Sequence, residues 1–324
     1  MQSDWQPSCS LEVLKLRANC LQAIRSFFYE QGVLEVETPI LGHFSGTDPY
    51  IDCFQTHDAS LKTDFYLQSS PEFAMKRLLA SGSGSIYQMT KAFRQNESGR
   101  FHNPEFSILE WYRVGFNLEQ LMADVEVLLE RILPQALLQK PTEKIKYCDV
   151  FKHYTGLNAL EFDIACYKQC AEKYNLSDAQ TICGKNHAAW LEFLFDSLVQ
   201  PSLGLTEVCM VYNYPACLPS LARRDEANPL IVSRVEVFIK GIEVGNGFFE
   251  LTDADEQNQR FEQDLLQRQQ NNSTILKKDR YFLSALESGL PSCAGIALGL
   301  DRLLMLISEA SHIKDVLAFP IETA

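Results

Sequence analysis

Two arginines beside a short polar loop could bind an anionic group. Arg94 ends one strand-like segment, and Arg100 lies in the loop that leads to the next segment. Guanidinium groups make forked, charge-assisted hydrogen bonds with carboxylates and phosphates. Gly99, next to Arg100, has no side chain and lets the backbone approach a ligand closely. This loop is therefore the first candidate for a binding site.

The second strand-like segment carries a carboxylate and a phenol on an otherwise apolar face. The two-residue period of a strand puts Phe106, Ile108, Glu110 and Tyr112 on one side. A lone glutamate on such a face is most often part of a satisfied ion pair or lies at a solvated edge. The arginines nearby favour a binding site instead.

Three glutamates accompany a glycine-rich stretch near the end of the chain. Glu236, Glu243 and Glu250 surround residues 245–247, which read Gly-Asn-Gly. Carboxylates beside residues without bulky side chains suit a divalent cation or a bound ammonium group. A surface hairpin with a Gly-Asn-Gly turn explains the same spacing, so both interpretations stay open here.

A fourth group lies where a strand is predicted to meet a helix. The run 295–302 reads Gly-Ile-Ala-Leu-Gly-Leu-Asp-Arg. Its small residues would let a flat ligand lie against the strand, while Arg302 could stack on that ligand or neutralise a phosphate.

Hydrophobic periodicity predicts the helices and strands that position these residues. Helices are predicted from residue 11 to a stop at Gly32, and over 71–80, 117–133, 253–270, 279–287 and 301–308. Strands are predicted over 33–39, 65–68, 85–94, 106–113, 235–240, 248–251 and 293–299, with another near 50–55. Segments 85–94 and 106–113 should form an antiparallel pair. Ser69 and Glu72 have the spacing of a capping box at the start of the second helix.

Composition and charge narrow the class of protein. The chain has 324 residues, of which 46% are hydrophobic and 22% charged, as in folded proteins. Its formal net charge of -13 argues against nucleic-acid binding through bulk positive charge. The 10 cysteines form no CxxC pair and the 6 histidines form no HExxH motif, which predicts free thiols and no structural zinc site. Without a signal peptide or an apolar run of about 20 residues, we expect a cytoplasmic protein.

Three segments, taken in order, resemble the signature motifs of class II aminoacyl-tRNA synthetases. They are the segment that ends at Pro39, Phe93-Arg94 with the loop to 106–112, and 295–302. Within that class the chain is most similar to lysyl-tRNA synthetases, through 243–253 and His102-Asn-Pro-Glu-Phe106. The resemblance covers about 11–320. It implies an α+β class II catalytic core with an antiparallel sheet flanked by helices, as a single domain over 1–324 with a mainly helical insertion at about 135–228.

The first catalytic helix already begins at residue 11, so we expect no N-terminal OB-fold and no recognition of a tRNA anticodon. Segments 69–79, 101–106 and 261–264 resemble free-standing lysyl-tRNA synthetase paralogues that modify elongation factor P. This resemblance implies an ATP-dependent ligase. It would activate (R)-β-lysine as the adenylate, release pyrophosphate and form an amide with a lysine ε-amino group of elongation factor P. It also implies a homodimer through residues 11–39, and no membrane partner.

The resemblance further implies a role for individual residues. Those implied for ATP are Arg94, Gln95, Asn96, Asn103, Phe106, Glu243, Val244, Gly299 and Arg302, with adenine between Phe106 and Arg302. Those implied for (R)-β-lysine are Ser70, Pro71, Glu72, Glu110, Tyr112, Glu250 and Ala297. Glu236 and Glu243 would hold Mg²⁺. Arg94, at the α-phosphate, and Arg302 would be the catalytic residues.

Two positions depart from the synthetase pattern. Arg94 is followed by Gln95-Asn96-Glu97 rather than Asn-Glu, so Asn96 stands where a glutamate would accept the adenine amino group. Ala297 stands where lysyl-tRNA synthetases have glycine, and its methyl group is expected to disfavour α-lysine. Two alternatives remain: an adenylate-forming enzyme with another acceptor (a truncated tRNA synthetase or an amide synthetase), or a catalytically inactive regulatory paralogue. Retention of the charged residues named above argues against the inactive paralogue.

Overall fold

The computed structural model describes residues 5–218 and 221–324. Residues 1–4 belong to the predicted domain and 219–220 to the predicted insertion, and both lie outside the described residues. The helices of the described part are α1 Leu11–Glu30, α2 Glu72–Ala80, α3 Leu118–Ile132, α4 Tyr147–Thr155, α5 Ile164–Lys173, α6 Ala179–Cys183, α7 His187–Leu194, α8 Ala254–Gln270, α9 Arg280–Gly289 and α10 Leu300–Ser308. The strands are β1 Leu34–Glu35, β2 Leu41–Gly42, β3 Gln55–Asp58, β4 Thr63–Leu67, β5 Ile86–Phe93, β6 Glu105–Val114, β7 Glu143–Lys146, β8 Cys209–Pro215, β9 Ile231–Ile239, β10 Ile242–Phe249 and β11 Cys293–Gly299.

The chain divides into two compact units, residues 1–116 with 252–324, and residues 117–251. In the first unit β1 pairs in parallel with β5, β5 pairs antiparallel with β6, and β6 antiparallel with β11. The register places Gln88 of β5 and Ala297 of β11 directly opposite Glu110 of β6. These three side chains therefore share one face of the sheet at one level.

Helix α1 covers the opposite face of these strands. Its Phe28 ring stacks on Tyr87 with centroids 4.3 Å apart and meets Trp111 edge-on at 5.5 Å. Trp111 lies between Glu110 and Tyr112 in sequence, and successive side chains of a strand alternate between faces. Burial of the Trp111 face against α1 thus leaves Glu110 and Tyr112 on the face that α1 does not cover.

Helices α2, α8 and α9 pack together through aromatic side chains in the same unit. Phe73 of α2 stacks on Phe282 of α9, with centroids 4.5 Å apart, and lies 5.6 Å from Phe261 of α8. A separate antiparallel sheet of this unit has the strand order β2, β4, β3. The long segment between β2 and β3 packs against α8 through hydrogen bonds described below.

In the second unit, β9 pairs antiparallel with both β10 and β8, and β7 runs parallel to β8. Helices α4 to α7 bury an aromatic cluster that includes Tyr147, Phe195, Tyr214 and Phe238. The range 135–228, expected to be mainly helical, contains these four helices and also the strands β7 and β8.

The remaining regular elements of the described residues are short turns of both units. They are three 3₁₀ turns, Gln135–Leu137, Gln200–Ser202 and Ile313–Asp315, and a π-helical turn, Phe195–Val199.

Most predicted elements are confirmed, including the antiparallel pair β5–β6 and the strand β11 that leads into α10. Of the two interpretations left open above, the hairpin with a Gly-Asn-Gly turn is wrong, because residues 245–247 lie within β10. The hairpin turns instead at Lys240–Gly241, where both φ angles are positive. The capping box at Ser69 is also wrong, since Pro71 is the N-cap of α2 and makes no side-chain cap. No helix in the described part of the chain is both long and apolar enough to cross a membrane.

Candidate functional site

A buried carboxyl group, that of Glu110, forms the centre of a polar cluster in the first unit. Its side chain is 2% exposed. The Ser70 hydroxyl donates to Glu110 Oε2 at 2.8 Å and the Tyr112 hydroxyl donates to Oε1 at 2.6 Å. Ser70 Oγ also accepts from the Glu72 amide at 3.1 Å, which ties the start of α2 to β6. The predicted residues Ser70, Glu72, Glu110 and Tyr112 are thus brought together.

A buried lysine supplies the cation of this cluster. Lys76 lies one turn after Glu72 on α2, is 1% exposed, and its Nζ is 2.6 Å from Glu72 Oε1. The ammonium also lies over the rings of Tyr112 and Phe282, 5.9 and 5.8 Å from their centroids. Since a buried lysine must be paired, this contact fixes the Glu72 carboxylate. We call Ser70, Glu72, Lys76, Glu110 and Tyr112 the carboxylate cluster.

The protonation of Glu110 is finely balanced. Burial, followed by the negative charge of Glu72, raises the pKa of Glu110 to about 7. The hydrogen bonds from Tyr112 and Ser70 and the charge of Lys76 act in the opposite direction. An ammonium group bound here would stabilise the ionised form and lower this pKa. The cluster is therefore suited to a positively charged ligand near neutral pH.

Small residues on β11 border the Glu110 carboxyl group. Ala297 lies opposite Glu110 in the antiparallel register, and Gly295 lies opposite Tyr112. Directly opposed side chains of an antiparallel pair have their Cβ atoms about 5 Å apart. The Ala297 methyl group thus borders the space above Glu110, as expected for a residue that limits the shape of a ligand. Pro71, the N-cap of α2, follows Ser70 directly.

Arg94 is positioned for an anion. Its guanidinium carbon lies 4.9 Å from the Phe106 ring centroid, and NH1 is 3.4 Å from Glu97 Oε1. Its Nε is buried and has no hydrogen-bond partner among the residues that the structure describes. Such an orphaned donor is costly unless a ligand satisfies it. A base that stacked on this face of Phe106 would have to displace the guanidinium.

The backbone on both sides of this guanidinium is fixed by hydrogen bonds. The Arg94 amide donates to Pro104 O at 2.9 Å, and the Gln95 amide donates to Asp52 O at 2.8 Å. Asn96 has a φ of 62°, in the left-handed region that asparagine tolerates. The loop thus turns sharply at the position where the sequence departs from the synthetase pattern.

Arg302 lies at the start of α10 and contacts a histidine of the loop. Its NH2 group donates to His102 Nε2 at 2.6 Å. Burial and the charge of Arg302 lower the pKa of His102, which keeps that nitrogen free to accept. Gly299, the N-cap of α10, has space where a Cβ would sit 3.7 Å from Arg302 Cδ.

The side chain of Asn103, a residue predicted to bind ATP, makes hydrogen bonds to the start of β6 and to the C-terminal segment. Its Nδ2 donates to Glu105 O at 2.6 Å and its Oδ1 accepts from the Ile321 amide at 3.2 Å. The structure therefore gives its amide group a structural role that the sequence did not indicate.

Four predicted residues, Glu236, Glu243, Val244 and Glu250, belong to the second unit, on β9, β10 and just after it. Glu236 pairs with Asn246 and Glu243 with Phe238, with a bulge between Glu243 and Gly245. The bulge adds one residue, and this puts Glu243 on the same face as Glu236. Val244 and Glu250 are buried.

The Glu236 carboxylate already has partners in the second unit. The Tyr214 hydroxyl donates to Oε2 at 2.6 Å, and the Arg234 guanidinium donates to Oε1. Among the described residues there is no group of three or more His, Cys, Asp or Glu side chains that could hold a metal ion by themselves. A cation bound by Glu236 and Glu243 would therefore need further oxygen ligands, such as phosphates.

Sequence reasoning missed Lys76. The signal was present, because Glu72 and Lys76 have the i, i+4 spacing of a helical ion pair. Such a pair is usually a surface feature, so the spacing alone gave no reason to expect a buried ammonium group.

The family model for tRNA synthetases class II (D, K and N) matches residues 4–323 of the chain. The chain is 43% identical over 327 residues to the elongation factor P–(R)-β-lysine ligase of Pasteurella multocida, covering 100% of this chain and 99% of that protein. It is 43% identical over 328 residues to the ligase of the same name from Vibrio vulnificus, covering 100% of both chains. The same name belongs to a Vibrio cholerae protein that is 42% identical over 326 residues, covering 99% of both.

Proposed function

The chain belongs to the tRNA synthetases class II (D, K and N), and we propose that it activates (R)-β-lysine with ATP and transfers it to elongation factor P. Membership of this class confirms the predicted α+β class II core and implies the use of ATP. The relatives that have the ligase name align with this chain over nearly their whole lengths. The observation that supports the amino acid class best is the carboxylate cluster, because Ser70 links the buried Glu110 carboxyl group of β6 to the start of α2, where Glu72 supplies a second, partly buried carboxylate, and carboxylates suit ammonium groups.

The proposed first step is adenylate formation. A carboxylate oxygen of β-lysine attacks the α-phosphorus of ATP, and the bond from that phosphorus to the bridging oxygen breaks to release pyrophosphate. Both reactants are anionic, so the step needs positive charge near the α-phosphate. We assign this role to Arg94, whose Nε has no hydrogen-bond partner in the described part of the chain, with Arg302 as the second cation. We assign nucleotide contacts to Gln95, Asn96, Asn103, Phe106, Glu243, Val244 and Gly299.

In the proposed second step, the neutral ε-amino group of a lysine on elongation factor P attacks the activated carbonyl carbon. AMP leaves, the amine loses one proton and an amide remains. The carboxylate cluster with Pro71 and Ala297 would hold β-lysine, and Glu250 is proposed for its far ammonium group. These contacts orient the carbonyl for both steps and need no covalent bond to the protein.

Mg²⁺ is the proposed metal, and its two candidate ligands fit it. Glu236 and Glu243 offer carboxylate oxygens on one face of adjacent strands, and Mg²⁺ is commonly held by one or two carboxylates together with phosphates. When bound, the ion would offset the charge that develops on the phosphates. Tyr214 and Arg234 would hold Glu236 in place, since both donate to its carboxylate.

Three broader expectations remain proposals. We propose a homodimer through residues 11–39 and a single catalytic domain over 1–324, with 135–228 as an insertion that falls within the second unit. The cytoplasmic location stays a prediction.

The test is ATP–pyrophosphate exchange with purified protein and Mg²⁺, comparing (R)-β-lysine, (S)-β-lysine, α-lysine and no amino acid. We expect exchange to be fastest with (R)-β-lysine. Mass spectrometry of elongation factor P after incubation with ATP and (R)-β-lysine should then show one added β-lysyl group. Exchange without transfer would point to another acceptor, and absence of exchange with every isomer would support an inactive paralogue.

A further inference from the structure

One arginine of α8 holds the segment 47–52 from inside the protein. The Arg268 side chain is 0% exposed. Its NH1 donates to Asp48 O at 2.6 Å and Ile51 O at 3.1 Å, and its NH2 contacts Asp52 Oδ1 at 2.7 Å. Its Nε donates to Thr274 O at 2.8 Å. A buried guanidinium is costly unless it is hydrogen-bonded, and here all three of its nitrogens donate.

Two neighbours on the same face of α8 bind the same segment. Asp264, one turn before Arg268, accepts from the Thr47 hydroxyl at 2.7 Å. Gln267 donates from its amide to the Tyr50 hydroxyl at 2.8 Å. Together these contacts attach 47–52 to one helix, and we call them the α8 clamp. Among the described residues, no helix or strand lies between β2 and β3, so the conformation of this segment depends on such contacts.

The α8 clamp connects to the loop that follows Arg94 through a backbone hydrogen bond. Asp52, whose side chain pairs with Arg268, uses its carbonyl oxygen to accept from the Gln95 amide at 2.8 Å. Gln95 directly follows Arg94, so the clamp fixes the backbone on the C-terminal side of the proposed phosphate ligand. The N-terminal side is fixed independently by the Arg94 amide and Pro104 O.

The carboxylate cluster does not share these contacts. Ser70, Glu72 and Lys76 lie at the start of α2, and Glu110 and Tyr112 lie on β6. The four hydrogen bonds described above join members of the cluster to one another. A disturbance at the α8 clamp should therefore reach Arg94 before it reaches the residues proposed for the amino acid.

We propose that Arg268 is a positioning residue for ATP, which acts through Asp52 and Gln95 to hold Arg94 where it meets the α-phosphate. This rests on the proposed function. Loss of the clamp would let the loop after Arg94 shift, and a misplacement of about 1 Å can cost roughly a hundredfold in rate. The KM for ATP should therefore rise, while the affinity for (R)-β-lysine stays the same.

The test compares four variants by ATP–pyrophosphate exchange, with KM measured separately for ATP and (R)-β-lysine. Arg268→Met keeps the apolar stem and removes every donor, and we expect an ATP KM about tenfold higher or more, with the β-lysine KM within about twofold. Arg268→Lys retains one cation and should restore part of the loss. Asp52→Asn keeps the carbonyl that binds Gln95 and weakens only the pair with Arg268, so its effect should be smaller.

Lys278→Met is the matched control. Lys278 also makes an ion pair with α8, through Glu262 at 3.0 Å, but on its solvent-facing side. We expect both KM values to match the wild type. Melting temperatures of all variants separate a change at the site from loss of folding. If Arg268→Met does not fold, Asp52→Asn decides, because its side chain is partly exposed.

Equal increases in both KM values, or an unchanged ATP KM in Arg268→Met and Asp52→Asn, would overturn the positioning role. Failure of the proposed function is a different result, because wild-type protein would then catalyse no exchange. In that event calorimetric titration with ATP tests the clamp directly, and Arg268→Met should still bind ATP about tenfold more weakly than wild type. If wild-type protein binds no ATP, both proposals fail.

Discussion

Glu110 is the residue whose chemistry most directly links the structure to recognition of an amine. Its pKa is raised to about 7, first by burial and then by the charge of Glu72. A group whose pKa rises on folding stabilises the fold below its unfolded value, and this stabilisation is lost as pH rises through the folded value. The empty protein thus keeps an ionised, destabilising carboxylate above pH 7, which a bound ammonium group would compensate.

We therefore predict that the KM for (R)-β-lysine rises as pH falls below about 7, by up to about tenfold per unit, because protonated Glu110 no longer attracts an ammonium group. The KM for ATP should change little over the same range. Steady-state exchange rates between pH 5.5 and 8.5 would measure both. Glu110→Gln should give a high KM that no longer depends on pH in this range.

Lys76→Met tests the same dependence of β-lysine binding on the protonation of Glu110, this time by raising the pKa of Glu110. Lys76 lowers the pKa of Glu110, so its removal should move the midpoint of the β-lysine KM profile to higher pH. Lys91→Met is the control, since Lys91 forms an exposed pair with Glu105 on the same sheet and should leave the profile unchanged. A profile that is identical in all three proteins would show that Glu110 does not govern binding.

Ala297→Gly tests how the shape of the site selects the isomer. Ala297 lies opposite Glu110 in the β6–β11 register, so its methyl group borders the proposed site. One methyl group in a pocket changes selectivity by roughly tenfold or more. We predict that the ratio of kcat/KM for α-lysine to that for (R)-β-lysine increases by about this factor. An unchanged ratio would remove Ala297 from the specificity determinants.

At the scale of elements, α1 and α10 are joined by an ion pair in which the Asp301 carboxylate is buried and Arg17 is partly exposed. Arg17 of α1 donates to Asp301 and, at 2.9 Å, to Val316 O. Asp301, which directly precedes Arg302, also accepts from the Ser107 amide of β6 at 2.7 Å. The pair thus fixes the start of α10, which carries Arg302.

Arg17→Met should destabilise the protein by about 3 kcal/mol or more, because it leaves the buried Asp301 carboxylate without its counter-ion. Arg25→Met, on the same helix, breaks an exposed pair with Glu35 and should cost less than about 1 kcal/mol. Urea denaturation followed by circular dichroism measures both. Equal losses in the two variants would contradict the role assigned to Asp301.

Elements with local patterns could be predicted from the sequence, whereas those that depend on distant partners could not. Alternating side chains predicted the β5–β6 pair, and the Asn117 cap predicted α3. By contrast, 245–247 look like a turn locally, but pairing with β9 keeps them in a strand. Arg268 reads as one more charge on a polar helix, because its partners Asp48, Ile51 and Asp52 lie more than 200 residues earlier.

At the scale of the whole molecule, the resemblance predicted the class II core, since the motifs of this class are defined by residue type and order. It did not predict which contacts hold those motifs. Motif comparison shows residue types and their order but not which side chains make contact, so it did not reveal the Lys76–Glu72 pair, the Asp52–Gln95 hydrogen bond or the Arg17–Asp301 pair. The resemblance implies that two chains assemble through residues 11–39, but it does not show which exposed side chains would make the contact.

The proposed homodimer has physical support in the segment that resembles the first motif. Leu11, Tyr29 and Leu34 all expose large apolar side chains within residues 11–39, and a group of such side chains often marks an interface. We predict that analytical ultracentrifugation gives about twice the chain mass of 36.8 kDa. Leu34→Glu should shift the protein to the monomer, since a charge at a buried interface is costly. Ile182→Glu, at an exposed apolar position of the second unit, should remain dimeric; if it dissociates equally, the interface does not lie at residues 11–39.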